Sequence, residues 1–254
     1  MNKRRVLTRI ELLVLVGAVA FIMLLVLLTQ HKAKRRPRLA VACLTALKQW
    51  GLAFEIYTSD NDGHFFSSEG RSDGHWWIDA TRNYWQTRPQ SLLCPMATKP
   101  FTEGGRNEFA AWKVDGVSGS YGMNGWICDP PQGKTELRGH GPIENYWRTA
   151  DANGADNVPV FFDATWPETW PGETDEHPES PGQKDANGMQ RVCCNRHDGY
   201  VNVLFLDQSV RRVGLKELWK LKWHRNYNTD GPWTHTGGTQ PMAWPAWMRN
   251  FRDY

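Results

Sequence analysis

An α+β fold is predicted for this 254-residue chain: a long N-terminal helix crosses a membrane and continues as a spine, packed on a small antiparallel sheet with large loops. Three observations predict it. Residues 10–29 form an apolar run whose one charge is Glu11, and about 20 such residues in a helix span a hydrocarbon core of about 30 Å. Beyond the run, Leu39, Cys43, Leu47, Trp50, Phe54 and Tyr57 recur at three- and four-residue steps, which puts them on one stripe of an amphipathic helix. Further on, short apolar runs at 158–162 and 200–213 have strand character within a sequence rich in turn formers.

Taken in order, residues 1–6 are a basic leader with Lys3, Arg4 and Arg5, residues 7–29 the membrane helix, and residues 30–59 the spine outside it. Pro37 removes one backbone hydrogen bond and should kink that spine. The stretch Asp60-Asn61-Asp62-Gly63 ends it, with Gly63 suited to a left-handed turn. Residues 60–254 form one globular head, large enough for a self-sufficient core. Its load of Trp (14 in the chain, beside 23 Gly and 15 Pro) suggests that large rings replace regular packing layers. In the head, 158–162 is a buried strand ended by Asp163. Residues 200–213 make a hairpin turning at Asp207-Gln208, 216–222 a short helix, and 225–254 a wrap with little regular structure.

The formal charge of +3 comes largely from Lys and Arg near the N-terminus, so it describes an anchor region and implies no nucleic-acid partner. Basic residues flank the apolar run on both sides, which leaves orientation undecided by charge. A cleaved signal peptide ending near Ala18-Val19-Ala20 competes with the anchor reading, but cutting there leaves residues 21–28 as an exposed apolar end.

The stretch Arg4-Arg5-Val6-Leu7-Thr8-Arg9-Ile10-Glu11-Leu12-Leu13 resembles the prepilin processing motif, with Val6 where the family has Gly or Ala and Arg9 where it has an apolar residue. Cys43-Leu44-Thr45-Ala46-Leu47-Lys48-Gln49-Trp50, running on to Asp60-Asn61-Asp62-Gly63, is similar to the start of the head in type II secretion G-like pseudopilins of planctomycete-type bacteria. His197, nine residues before Asp207-Gln208, resembles the His-x9-Asp-Gly signature of the same group, with Gln208 in place of Gly. The resemblance implies a pilin-like fold and cleavage between Val6 and Leu7 by a prepilin peptidase, followed by methylation of Leu7. It implies that Glu11 is neutralised in filament assembly by the N-terminal amine of a neighbouring subunit. The implied partners are other pseudopilins, the secretion platform in the inner membrane, and lipid. The N-terminus would be cytoplasmic and the head in the periplasm or outside the cell.

Candidate chemistry in the head is sparse. In an exported head Cys43 and Cys94 are one disulfide candidate, and Cys128 with Cys193 or Cys194 a second; buried thiols are the alternative. No cofactor is expected, with calcium the single candidate: Asp60 and Asp62 offer hard oxygen ligands, against the plainer reading of a helix-ending turn. His197, Asp198, Asp207 and Asp163 are an imaginable metal or acid–base centre, set against a His197 that bridges the hairpin by hydrogen bonds. Trp76, Trp77, Trp85, Trp166, Trp170, Trp244 and Trp247 are either platforms for sugar rings or structural plugs. Two functions follow: a non-catalytic pseudopilin-like filament subunit serving protein secretion, or a membrane-anchored glycan-binding module.

Overall fold

The computed structural model describes residues 8–68, 76–183 and 187–254. The fold is mixed α+β, and contacts divide it into two compact units, Met1–Val41 and Ala42–Tyr254, with the division falling inside helix α1, Arg9–Asp60. In the first unit the large apolar residues described between Ile10 and Leu25 are exposed: Ile10 is 74%, Phe21 61% and Met23 63% accessible. The helical assignment runs through Pro37. Val6 and Leu7 lie outside the described residues, as does the side chain of Glu11.

In the second unit α1 presents the predicted stripe. Cys43, Leu47, Trp50 and Phe54 are buried, and Tyr57 partly so. Within this unit the buried stripe of the helix begins at Cys43. Trp50 and Phe54 meet Phe161 at ring separations of 5.4 and 5.9 Å, and Trp50 meets Trp77 edge-on at 5.6 Å. Each such side chain contributes roughly 1.5–3 kcal/mol by burial. The helix ends as read: the Gly63 N–H donates to the Thr58 carbonyl at 2.7 Å, with Asp62 and Gly63 both at positive φ.

Among the described residues the strands form two sheets. The main one has five strands in the order β6-β4-β5-β7-β8: β4 is Tyr121–Asn124, β5 Pro159–Asp163, β6 Glu168–Thr169, β7 Tyr200–Phe205 and β8 Val210–Gly214. All neighbours are antiparallel except β4 and β6. The smaller sheet joins β1 (Lys99–Pro100), β2 (Ala110–Val114) and β3 (Val117–Gly119). Short helices α2 (Trp77–Ala80), α3 (Arg82–Trp85) and α4 (Gly188–Val192) lie in the connections. The predicted hairpin is present, pairing Val201 with Val213 and Leu204 with Val210. The predicted strand is β5, which includes Asp163. The expected short helix is a 3-10 segment, Lys216–Lys220.

Residues 201–205 of β7 are all buried, not alternately exposed. Leu204 reaches Gly51 of α1, where a built Cβ would stand 2.9 Å from Leu204 Cδ1, so the sheet's helix-side face is closed by near-backbone contact. The C-terminal wrap sends Trp244 and Met248 into the core.

Candidate functional site

Four groups from distant parts of the head converge in its interior: Cys43 on α1, Cys94 in the loop after a 3-10 turn (Pro89–Leu92), Asp163 at the end of β5, and His197 just before β7. The ligating atoms of Cys43, Cys94 and His197 all lie within 4.8 Å of one another. His197 Nε2 is 3.6 Å from Cys94 Sγ and 3.2 Å from Asp163 Oδ2. Cys43, Cys94 and Asp163 are fully buried and His197 is 5% accessible.

Local sequence explains each placement. In Asn195-Arg196-His197-Asp198-Gly199, the Asn195 side chain accepts the Gly199 N–H at 2.7 Å, with Asp198 and Gly199 at positive φ. This tight reversal turns Arg196 and His197 inward and leaves Asp198 exposed. Phe251 packs against Gly199 so closely that a Cβ there would lie 2.8 Å from the ring. Ser120 anchors the Cys94 loop: its N–H donates to the Leu92 carbonyl at 2.8 Å and its Oγ accepts from the Cys94 N–H.

Arg196, 2% accessible, donates from its guanidinium to the carbonyls of Glu108, Ala110, Ser120 and Ala164, so one side chain satisfies four loop and strand-end acceptors. Burial opposes ionisation of Asp163, but His197 and Arg196 outweigh it and hold the carboxyl below its ordinary value. Burial likewise opposes the His197 charge, and Asp163 overcomes it, lifting the imidazole to about 10. Burial pushes the Cys94 thiol up, and that of Cys194 to about 12. Asp163 Oδ2 accepts two hydrogen bonds from Asn202, whereas Oδ1 accepts none.

The sequence-predicted groups are thus partly brought together. His197 meets Asp163, as in the imagined centre. Asp207 lies in the turn at the far end of β7, about 20 Å of strand away, where it accepts the Ser209 N–H at 2.8 Å. Beside it Gln208 takes φ +66°, the backbone conformation usual for Gly. His197 bridges β5 and the Cys94 loop by its ring; only its carbonyl, which accepts from Arg212, touches β8. All five thiols are free and buried, which is the arrangement the sequence left as the alternative to disulfides. Cys43 does face Cys94, but Cys128 Sγ points at the Gly125 carbonyl and Cys193 Sγ at Met248 Sδ. Asp60 and Asp62 are exposed residues of the helix end and do not join the cluster.

Most of the Trp candidates are plugs. Trp76, Trp77, Trp85 and Trp244 are buried, Trp170 stacks on His140 at 3.6 Å, and Trp247 donates to the Pro178 carbonyl. Trp166 borders a cavity of about 310 Å³ with Phe101, Asn107, Trp112, Gln183 and Arg191. The sequence marks Cys94 only as a disulfide candidate and does not single out the buried Glu168, which pairs with Arg138 at 2.8 Å and accepts from Ser68. The Cys94-Pro95 step and Asp163 after an apolar strand were the available signals. No protein-family model matches the chain, and no curated protein or solved structure is similar to it.

Proposed function

We propose that this chain is a pseudopilin-like, non-catalytic subunit of a type II secretion or type IV pilus-like envelope filament, anchored by a single N-terminal membrane helix with its head outside the cytoplasm. The observation that carries this reading is the contrast along α1, whose described large apolar side chains between Ile10 and Leu25 are all exposed, whereas between Cys43 and Phe54 one stripe, Cys43, Leu47, Trp50 and Phe54, is buried. Exposed leucines, isoleucines and valines all round a helix need a lipid or protein environment. Residues 39–60 also have the length and hydropathy of a span, but their buried stripe is committed to the head core, which leaves the earlier segment for the membrane. The prepilin-like motif around Leu7 and Glu11 supports the finer assignment, in which Glu11 meets the amine of a neighbouring subunit in a filament. Prepilin peptidase, other pseudopilins and the inner-membrane platform are the partners this reading requires.

The test is the mass of the N-terminal peptide of the protein recovered from membranes. A peptide starting at N-methylated Leu7 is expected. A start near Phe21 would replace the anchor by a signal peptide, and an intact Met1 leader would replace the filament subunit by a permanently tethered head. That tethered head is the second reading, a glycan-binding module. The observation favouring it is the cavity where Trp112 and Trp166 stand beside Asn107, Gln183 and Arg191, ring faces next to planar polar groups.

A further inference from the structure

We infer that Cys43, Cys94 and His197, completed by Asp163, form a structural site for a thiophilic divalent cation of the zinc type. Zinc takes two thiolates, an imidazole and a carboxylate in tetrahedral array, at about 2.3 Å from sulfur and about 2.0–2.1 Å from nitrogen or oxygen. Two ligands of one such ion therefore stand roughly 3.3–3.8 Å apart, the longest edge being sulfur to sulfur. Cys94 Sγ to His197 Nε2 is 3.6 Å and His197 Nε2 to Asp163 is 3.2 Å, two edges of that tetrahedron. Cys43 Sγ lies within 4.8 Å of the Cys94 and His197 ligand atoms, which makes it the third ligand of the group.

Two independent features point to a ligand. Asp163 Oδ1 is buried without a hydrogen-bond partner; Arg196 Nη1 stands 4.0 Å away, beyond bonding distance. A buried carboxylate oxygen left open is costly, and a metal ion held by this carboxylate, whose other oxygen Oδ2 is the one 3.2 Å from His197, would offset that cost. The charges also close: two thiolates, one carboxylate, the dication and the buried Arg196 guanidinium sum to zero. The four ligands come from α1, the loop before β1, β5 and the turn before β7, so one ion would bind the helix, the loop and the main sheet together. The site is independent of the membrane role proposed above.

The competing chemistry is a Cys43–Cys94 disulfide, in which both thiols lose a proton and an electron to a disulfide-exchange oxidant and no sulfur ligand remains. The experiment uses the full chain in detergent, reduced, stripped with chelator and titrated with Zn²⁺ or Co²⁺. One ion per chain is expected by native mass spectrometry. Co²⁺ should give thiolate-to-metal charge transfer and the strong d–d bands of a tetrahedral site. Cys94→Ser and Cys43→Ser should each weaken the charge-transfer band and the double variant should abolish it, Cys128→Ser should leave it intact, and Asp163→Asn should weaken zinc binding about 10- to 100-fold. No uptake by the reduced wild-type chain would overturn the proposal without recourse to variants. So would a charge-transfer band retained in the Cys43→Ser, Cys94→Ser double variant, or recovery of Cys43 and Cys94 from native membranes as one disulfide-linked peptide.

Discussion

The indole N–H groups explain how a loop-rich head tolerates so many tryptophans. Trp50 donates to the Ser91 carbonyl, Trp77 to Pro167, Trp112 to Tyr121, Trp126 to Pro171 and Trp219 to Asp175, each at 2.8–3.1 Å. A buried loop carries carbonyls that no sheet ladder satisfies, and Trp supplies a donor and a large apolar ring at once. Arg196 does the same for four carbonyls with one charge. His140 shows the opposite behaviour. It stacks on Trp170, and burial, reinforced by Arg138 and Arg191, lowers its pKa to about 4 from the ordinary 6.5. Between those values the unfolded chain holds a proton that the folded head excludes, so His140 contributes stability above about pH 6.5 that is lost as pH falls toward 4. The group is only half buried, so the loss is about 1–2 kcal/mol after screening. His140→Phe keeps the stack without the titration, and its melting temperature should fall less than the wild type's between pH 7 and pH 4.5.

At the scale of elements, α1 and the hairpin were legible because their signals are local. The 43, 47, 50, 54 spacing and the apolar runs around Asp207 each declare a period within a dozen residues. Strand β4 was not legible: Tyr121-Gly122-Met123-Asn124 is fully buried yet reads as a turn. Its Gly is required because a Cβ would meet the Trp166 carbonyl at 2.6 Å, and its Asn124 amide donates to the carbonyls of Pro159 and Trp223. Gly51 is the comparable point on α1. Ala there gains helix propensity of about 1 kcal/mol, but its methyl falls 2.9 Å from Leu204 Cδ1 and 2.6 Å from Gln208 Oε1. Gln208 can swing away; Leu204 is held in the core. Gly51→Ala should therefore be net destabilising by about 1–2 kcal/mol in denaturant unfolding, and Gly51→Val more so.

Across the whole molecule, the candidate site was the least legible part. Residues 43, 94, 163 and 197 lie tens of residues apart, and no periodicity reports a meeting of that kind. Only the residue types hinted at it, which is why His197 and Asp163 were grouped with Asp198 and Asp207, while the two cysteines were assigned to a disulfide. The same separation has a kinetic consequence. Contacts that close long loops pay their entropy before they return any energy, so the cluster joining α1, the Cys94 loop, β5 and the turn before β7 forms after the hairpin and the helix. Interactions absent from the transition state act on the unfolding rate alone. In the metal-free chain, His197→Gln removes a charge-assisted bond of about 1.5–3 kcal/mol. Stopped-flow measurements should show unfolding faster by roughly tenfold to a hundredfold with refolding nearly unchanged. The cluster is a latch that closes last, and its grip sets how long a folded head lasts rather than how quickly it is made.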